Sequence, residues 1–460
     1  MSEKGTLPIG WRRVAIKDMA DSIQYGLTAS AAERKDGPRF LRITDIQDGR
    51  VDWSTVPSCD IPKEQIPKFK LSSGDLVFAR TGATTGKSFL IGECPEAVFA
   101  SYLIRVRVSA DVDSRYLSAF FQSPDYWRQI EGGKRGIGQP NVNGTVLGEV
   151  QFPLAPPGEQ RRIVAEIEKQ FTGLEAGVAA LRRVQANLKR YRAAVLKAAC
   201  EGKLVPTEAE LAKTGNRKTK FENGEALLTR ILTERRQNWQ GRGKYKEPAA
   251  PNTANLPSLP EGWTWATVEQ LSTRVQYGSS AKTNEDSTGV PVLRMGNIQE
   301  GKFDFDKLKY LPKSHDEFPE LLLARGDLLF NRTNSAELVG KTAVFKDTPQ
   351  PCSFASYLIR VRFGNGCLPD FVSYFINSVF GRAWIADVVS QQVGQANVNG
   401  TKLQALAMPL PPFAEQTRIV AEVERRLSVV EELETVAKAN LQRATRLRQS
   451  ILHKAFAGKL

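Results

Sequence analysis

Histidine and cysteine are scarce in this chain of 460 residues, and their scarcity limits its chemistry. The two histidines, His315 and His453, lie 138 residues apart, which argues against a histidine-based catalytic triad and a His/Cys zinc site. The five cysteines are scattered without a CxxC pair, so we expect reduced core thiols. The carboxylates form no HExxH or EF-hand-type pattern. We therefore expect a chain that recognises a partner rather than transforms one, and that holds no metal.

Long apolar segments are also missing. No apolar run approaches the roughly 18 residues of a membrane span. The first residues, "MSEKGTLPIGW", contain no signal-peptide core. We therefore expect a cytoplasmic protein that has no membrane partner.

Basic residues are in excess and concentrated in the middle of the chain. The net charge is +14, and residues 161–246 contain 20 Lys and Arg against 9 Asp and Glu, a net of +11. A solvated helix face would mix the two signs, so this block favours contact with a polyanion such as nucleic acid.

The chain is an internal duplication. Its motifs return in the same order with an offset that grows from 252 to 256 residues, while a segment at about 205–258 has no second copy. Two copies of about 200 residues indicate one fold written twice rather than a solenoid of short repeats. The matching pairs are "LPIGWRRVAI" (7–16) and "LPEGWTWATV" (259–268), "IQYG" (23–26) and "VQYG" (275–278), "FASYLIRVR" (99–107 and 354–362), "NVNGT" (141–145 and 397–401), "RIVAEIE" (162–168) and "RIVAEVE" (418–424), and "VLKAACEGKL" (195–204) and "ILHKAFAGKL" (451–460).

The stretch "RTGATTGKS" (80–88) resembles a loop that binds nucleotide phosphates, but it departs from that pattern. Three residues rather than four separate Gly82 from Gly86, and the apolar run after Lys87 predicts a strand where a phosphate loop requires a helix. The second copy, "RTNSAELVGKT" (332–342), replaces the first glycine with Asn334 and is two residues longer. We therefore interpret both stretches as loops between strands and not as ATP sites.

Each copy consists of a globular part followed by a long helix. The globular part mixes short apolar runs with Gly, Pro and Asn turns, which predicts an α+β fold. We expect two homologous α/β-mixed domains, separated by two long antiparallel coiled-coil helices and related by a pseudo-twofold axis. The expected bounds are 1–158 for the first globule, 159–204 for its helix, 205–258 for a linker with a short helix, 259–414 for the second globule and 415–460 for the second helix, which pairs with the first.

Apolar residues repeat at heptad spacing along both predicted helices, which favours a partner helix, although an amphipathic helix lying on its own globule fits the same pattern. Each helix of about 40 residues would be roughly 60 Å long, enough to hold two globules about one to one and a half DNA turns apart. The expected packing residues are Ile167, Leu174, Leu181, Leu188, Val195, Val423, Val430, Leu441 and Ile451, and the same stripes also include Phe171, Val178, Val184, Tyr191, Leu427, Leu433 and Leu447.

Paired motifs in a fixed order carry a resemblance to a known family. They are the "LPxGW" openings, the Gly-Asp-apolar-apolar-Phe-x-Arg-Thr and Gly-Lys loops, the "NVNGT" to "EQxRIVAE" junctions, and "GEALLTRILTERRQNW" (224–239) in the linker. The chain resembles a specificity subunit of a Type I restriction-modification system, a host-defence complex, over nearly its whole length.

The resemblance implies two target recognition domains, each reading one half of a bipartite asymmetric site in double-stranded DNA. It implies two modification (methyltransferase) subunits and restriction (translocase/nuclease) subunits as partners, which would carry S-adenosylmethionine, ATP and Mg. The nearest match to a methyltransferase Asn-Pro-Pro-aromatic motif is "LPPF" (410–413), where Leu410 replaces the polar residue. We therefore expect no cofactor and no catalytic residue on this chain. The alternatives are a stand-alone DNA-modifying enzyme, which the missing motifs disfavour, and a protein-only scaffold, which the basic block disfavours.

The two copies separate two classes of candidate DNA-binding residues. Residues identical in both copies serve the fold, the DNA backbone or partner chains, whereas base-reading residues differ when the half-sites differ. The identical candidates are Tyr25/Tyr277, Arg80/Arg332, Thr81/Thr333, Lys87/Lys341 and Gln139/Gln395. The divergent candidates are Arg34, Lys35, Arg39, Lys134 and Arg135, suited to guanine edges or phosphate, and Asn284, Asn334, Gln391 and Gln392, suited to adenine edges.

Some identical residues have a structural alternative. For Arg80 and Lys87, phosphate contact and a surface ion pair both fit the sequence. Asn141 and Asn143 fit turns better than DNA contacts, because asparagine tolerates left-handed backbone and caps locally.

Overall fold

The computed structural model describes residues 7–32, 37–47, 49–82, 84–133, 141–214, 221–240, 243–335, 338–346, 348, 350–392 and 395–460, with the backbone alone at 133, 334, 390–392 and 395. The chain divides into two compact units, Met1–Arg183 with Val436–Leu460, and Val184–Thr435. Candidate residues Arg34, Lys35, Lys134, Arg135 and Gln139 lie outside the described residues.

The first copy folds into short strands and helices that end in one long helix. Two 3₁₀ turns lie at Ile43–Asp45 and Lys63–Gln65. Its strands are β1 Arg12–Ala15, β2 Ala20–Tyr25, β3 Ala31–Ala32, β4 Arg39–Leu41, β5 Ile46–Gln47, β6 Arg50–Val51, β7 Ser58–Cys59, β8 Leu76–Ala79, β9 Ser88–Leu90, β10 Ala97–Phe99, β11 Leu103–Val108 and β12 Gln151–Leu154. Its helices are α1 Ile16–Met19, α2 Ile66–Phe69, α3 Ser114–Phe120, α4 Pro124–Gly133, α5 Gly144–Gly148 and α6 Pro157–Cys200.

The linker and the second copy follow, with a 3₁₀ turn at Met295–Asn297. The strands are β13 Thr264–Thr267, β14 Ser272–Tyr277, β15 Val290–Leu293, β16 Ile298–Gln299, β17 Lys302–Phe303, β18 Lys309–Leu311, β19 Leu328–Asn331, β20 Thr333–Asn334, β21 Thr342–Val344, β22 Ser353–Phe354, β23 Leu358–Phe363, β24 Ser390–Gln392, β25 Gln395–Asn397 and β26 Ala407–Leu410. The helices are α7 Glu208–Thr214, α8 Gly224–Gln237, α9 Val268–Leu271, α10 Pro369–Asn377, α11 Val379–Val388, α12 Gly400–Gln404 and α13 Phe413–Phe456.

The sheets of the two copies have matching strand orders. An antiparallel four-stranded sheet, β2-β11-β8-β9, corresponds to β14-β23-β19-β21. A smaller sheet contains a parallel pair in each copy, β10 with β4 and β15 with β22. The first strand of each globule pairs with its last, β1 with β12 and β13 with β26. The mixed, duplicated fold predicted from the sequence is confirmed.

A buried arginine explains why "YLIRVR" is identical in the two copies. Arg105 on β11 donates to the carbonyl of Lys70 at 2.7 Å, and Arg360 on β23 donates to the carbonyls of Leu322 at 2.8 Å and Glu320 at 2.9 Å. Burial lowers the pKa of both guanidinium groups, that of Arg360 to about 10. Because a buried charge must be hydrogen-bonded, each arginine ties the strand to the loop that precedes β8 or β19.

The two long helices pack in an antiparallel sense within each unit. Each has 44 residues, which corresponds to a length of about 66 Å. They begin two residues before the predicted starts and end four residues before the predicted ends, because Gly202 and Gly458 adopt positive φ angles. In the first unit Ile163, Ile167 and Phe171 share a core with Ile451, Leu452 and Phe456, and in the second unit Val195, Leu196 and Ala199 share one with Ile419 and Val423.

The buried seam keeps strict heptad spacing, and part of the predicted stripe lies outside it. Val184, Tyr191, Leu433 and Leu447 are exposed, so their assignment to the seam was wrong. The seam instead continues through polar side chains, and Arg192 donates to Glu434 at 3.1 Å. The half-buried or buried seam positions are Ile167, Phe171, Leu174, Val178, Leu181, Gln185, Leu188, Arg192 and Val195 on α6, and Val423, Leu427, Val430, Glu434, Ala437, Leu441, Ala444, Arg448 and Ile451 on α13.

The linker is more structured than the one short helix expected for it. It contains α7 and α8, and Leu227 and Ile231 of α8 are buried in the main core of the second unit. The linker therefore packs as part of that unit. Within the described ranges, no helix combines the length and apolar character needed to cross a bilayer.

Candidate nucleic-acid interface

An arginine stacked on a tyrosine recurs in both copies. The guanidinium carbon of Arg80 lies 4.9 Å from the ring centre of Tyr25, and that of Arg332 lies 4.9 Å from the ring centre of Tyr277. The hydroxyl of Tyr25 accepts a hydrogen bond from the amide of Gly144 at 2.8 Å, and Tyr277 accepts one from Gly400 at 2.7 Å. Each stack is thus anchored to the first residue of a short helix, α5 or α12.

Backbone bonds hold the arginine between two other segments. In the first unit the amide of Arg80 donates to the carbonyl of Tyr102 at 3.1 Å, and its carbonyl accepts from Val142 at 2.9 Å. The second unit repeats both bonds around Arg332, with Tyr357 at 3.0 Å and Val398 at 2.9 Å. Together with the stacked tyrosine, these bonds bring together four segments that are far apart in the sequence.

Each stacked arginine has hydrogen-bond donors that no described residue uses. Their Nε atoms are buried and have no partner among the described residues, while each side chain as a whole is half-buried. Arg332 makes a long contact from Nη1 to the carbonyl of Ser356 at 3.5 Å. A guanidinium that is fixed by stacking and not committed to a carboxylate is suited to binding a phosphate or a base edge.

Exposed tyrosines next to the stack were missed by the sequence analysis. Tyr102 is 62% exposed and Tyr357 is 50% exposed, and each precedes the strand that carries the buried arginine. The sequence did contain a sign of these two tyrosines, because "FASYLIRVR" has the same large aromatic residue in both copies. In the sequence that motif indicated only the duplication, and the structure separates its exposed residue from its buried ones.

In the second unit three of the four divergent amide residues lie on one small sheet. Strands β20, β25 and β24 pair in that order, with Thr333 opposite Asn397 and Gln391 opposite Ala396. This sheet begins directly after Arg332. The three residues are Asn334, Gln391 and Gln392, and Gln395, which is identical in both copies, lies on the same sheet; the backbone alone is described for all four. In the first unit the corresponding bridge joins Thr81 to Asn141.

The stretch 80–88 is the loop of a β-hairpin. Strands β8 and β9 pair antiparallel on either side of it, and the residue after Lys87 begins β9 rather than a helix. Lys87 is exposed, whereas its counterpart Lys341 is half-buried. Lys341 lines a cleft of about 860 Å³ that also includes Arg192 and Glu431 of the long helices. The two equivalent lysines therefore have different surroundings.

Two further candidates, Arg39 and Asn284, contact other segments, and Arg42, which is identical to Arg294, is paired with a carboxylate. Arg39 donates from Nη1 to the carbonyl of Val56 at 3.0 Å, and Asn284 forms a backbone bridge with Tyr310. Arg42 makes a bidentate contact with Asp45, at 3.0 Å from Nε and 2.7 Å from Nη2.

Asn143 and Asn399 are helix caps, as their sequence context favoured. The side chain of Asn143 accepts from the amide of Val146 at 2.8 Å, and that of Asn399 accepts from Lys402 at 2.9 Å.

The Trp of each "LPxGW" motif also has a structural role. Trp11 donates from Nε1 to Glu159 at 2.7 Å, and Trp263 donates to Glu415 at 2.9 Å. Both glutamates lie in the first turn of a long helix. Within the described ranges no group of three or more His, Cys, Asp or Glu side chains is arranged to hold a metal ion.

The matched halves of this chain correspond to a known domain family. The family described as "Type I restriction modification DNA specificity domain" matches residues 8–178 and 260–442, which is most of the chain. The chain belongs to this family. Both copies are thus specificity domains, and the role of the chain is DNA specificity in Type I restriction-modification. These matches do not favour the two alternatives, a stand-alone DNA-modifying enzyme and a protein-only scaffold.

Individual relatives match over the full length. The chain is 27% identical to the "Type I restriction enzyme EcoKI specificity subunit" of Escherichia coli (strain K12), over 99% of this chain and 90% of that one. It is 23% identical to the StySPI specificity subunit of Salmonella potsdam, again over 99% and 90%. A solved chain from "Structural basis underlying complex assembly and conformational transition of the type I R-M system" has a TM-score of 0.63 at 21% identity, covering 99% of this chain and 100% of that chain, which shows that the fold is shared.

Proposed function

We propose that each specificity domain reads one half of a bipartite asymmetric DNA site, and that the Tyr–Arg stack fixes each domain on the DNA backbone. The observation that carries this proposal is the stack itself, which has the same geometry in both copies while the neighbouring loops differ. Phosphate contacts position a protein without reading sequence, whereas base contacts must differ between unlike half-sites. Asn334 on β20 and Gln391 and Gln392 on β24 are then base readers of the second half-site, suited to adenine edges.

The chemistry belongs to partner chains in this proposal. Two modification subunits would bind S-adenosylmethionine and methylate the DNA, and restriction subunits would use ATP and Mg. Exposed apolar side chains on the long helices support helix-mediated docking of the modification subunits, since a solvated helix face is normally polar. They are Val184, Tyr191, Val429, Leu433, Val436 and Leu447. The complex would act in the cytoplasm, with no cofactor on this chain.

A domain exchange tests the half-site assignment. Residues 259–410 are replaced by a second copy of residues 7–154, so that the exchanged chain carries the first specificity domain twice. If each domain reads one half-site, the assembled complex methylates a site composed of two inverted copies of the first half-sequence, and methylation-sensitive sequencing of the host detects it. Continued methylation of the original asymmetric site would contradict the proposal.

The long helices are the proposed spacer between half-sites. Insertion of about one heptad after Leu181 and another after Ala437 keeps the buried seam in phase and lengthens each helix by roughly 10 Å, about three base pairs of DNA. We expect loss of methylation at the native site, because the step also turns the far half-site by about 100° around the DNA. Any recovered site would keep both half-sequences with a longer spacer. Normal methylation at the original spacing would show that the helices do not set the distance.

A further inference from the structure

The start of the second long helix is covered by residues that follow the first one. In the second unit Glu415 accepts a hydrogen bond from Trp263 on Oε1 at 2.9 Å and another from the amide of Glu208 on Oε2 at 3.0 Å. Arg418, one turn further along the helix, pairs with the carboxylate of Glu208 and donates to the carbonyl of Pro206 at 3.2 Å. Glu415 is fully buried as a result.

The covering residues form a compact, self-capped unit. In "PTEAELAKT" (206–214) the amide of Thr207 donates to Glu210 at 2.8 Å, and the amide of Glu210 donates to the hydroxyl of Thr207 at 3.1 Å. Thr207 and Ala209 are buried, and Lys213 donates to Glu261 at 2.6 Å. Three contacts therefore hold residues 206–214 in place. The amide of Glu208 donates to Glu415, the carboxylate of Glu208 pairs with Arg418, and the ammonium group of Lys213 donates to Glu261.

The first unit has the same two polar docking groups in a more open setting. Glu159, the counterpart of Glu415, is only half-buried, and its Oε2 accepts from Trp11 at 2.7 Å. No described residue donates to its Oε1. Arg162, the counterpart of Arg418, is exposed and donates to the carbonyl of Leu460 at 3.1 Å. It also lines an open groove of about 780 Å³ along the two long helices.

The third contact differs between the copies. Ile9 occupies the position of Glu261, and it is 101% exposed. Its counterpart Glu261 contacts Lys213 of the covering residues, so Ile9 marks the equivalent position of the surface in the first unit. The substitution also removes the partner for a lysine, so an occupant of this surface would differ from residues 206–214 at that position.

We propose that Ile9, Glu159 and Arg162 form a docking site for the start of a short helix from another protein chain. The occupant resembles residues 206–214: a threonine-like cap is followed by a glutamate whose amide donates to Glu159 and whose carboxylate pairs with Arg162. Where residues 206–214 carry Lys213, the occupant carries an apolar residue that contacts Ile9. Charge complementarity and the occupied copy of the site in the second unit define this chemistry.

A peptide in trans tests the proposal on the full chain. The probe is a fluorescently labelled peptide of residues 204–214 that carries Lys213→Leu. Its anisotropy should saturate with one peptide per chain. Arg162→Ala in the protein, or Glu208→Gln in the peptide, should raise the dissociation constant about tenfold, because each removes a charge-assisted hydrogen bond. Arg161→Ala changes an exposed arginine next to the site and should leave the constant unchanged.

A charge exchange provides an independent readout. Ile9→Glu should reverse the preference, so that the peptide with the native Lys213 binds more tightly than the Lys213→Leu peptide. Absence of saturable binding, or equal binding by the wild-type chain and Arg162→Ala, would overturn the proposal. Binding that is lost in Arg418→Ala but retained in Arg162→Ala would also overturn it, since the peptide would then be displacing residues 206–214 in the second unit.

Discussion

The stacked arginines allow a quantitative test of backbone contact. Arg80→Ala and Arg332→Ala each remove a guanidinium that lies 4.9 Å from a tyrosine ring centre, and neither arginine has a carboxylate partner among the described residues. If each binds one phosphate, each substitution should lower the slope of log affinity against log salt by about 0.9. At about 0.1 M salt this is a loss of about eightfold, or about 1.2 kcal/mol, and the double variant should lose about sixtyfold.

The assay is fluorescence anisotropy of labelled duplex DNA with the assembled complex, between about 50 and 200 mM salt. The loss should be similar for the cognate site and for a duplex with both half-sites scrambled, because phosphate contacts carry no sequence information. Arg42→Ala is the matched control, since Arg42 is identical in both copies but is already paired with Asp45. An unchanged salt slope in the double variant, or a loss confined to cognate DNA, would refute the assignment.

Three further predictions concern the lysine pair, the buried arginine and the chemistry of the chain. Lys87→Ala should weaken binding of the assembled complex to cognate and unrelated DNA alike. Lys341→Ala should have less effect, because that side chain lines a cleft with the long helices. Fluorescence anisotropy of labelled DNA measures the affinity of both variants. Arg360→Met should lower the free energy of unfolding by about 2–6 kcal/mol in urea titrations, because it leaves the buried carbonyls of Leu322 and Glu320 without this donor, while Asp327 keeps its pair with Arg362. The purified single chain should transfer no methyl group from labelled S-adenosylmethionine and hydrolyse no ATP, and either activity would show that this chain carries its own catalytic site.

The duplication and the hairpin could be predicted because both depend on local sequence. Repeated motifs in one order require one fold twice, and the apolar run after Lys87 is sufficient to predict a strand. The seam of the long helices was harder to predict. Leu433 and Leu447 are more apolar than Glu434 and Arg448, yet Glu434 and Arg448 are the residues that lie in the seam. The reason is that a strict 3.5-residue spacing fixes which face of a helix meets its partner helix. Long polar side chains can occupy such positions by packing their aliphatic parts and pairing their charges.

The Tyr–Arg stack could not be predicted from the sequence, because it is entirely non-local. Tyr25 ends β2, Arg80 follows β8, and Gly144 begins α5. The hydroxyl of Tyr25 therefore accepts a hydrogen bond from an amide 119 residues further along the chain. Their identity in the second copy showed only that the three residues were retained. Sequence spacing gives no information on which retained residues touch when the contacts depend on a sheet closing around them.

Identity between the copies therefore has different physical origins, and two of them lie within the fold. Arg105 and Arg360 are identical because a buried guanidinium must satisfy fixed carbonyl groups. Asn143 and Asn399 are identical because each caps a helix. Arg80 and Arg332 are neither buried in a network nor used as caps, and they remain half-exposed beside an exposed tyrosine. Because no carboxylate among the described residues pairs with either guanidinium, we propose that the partner of each lies outside the chain.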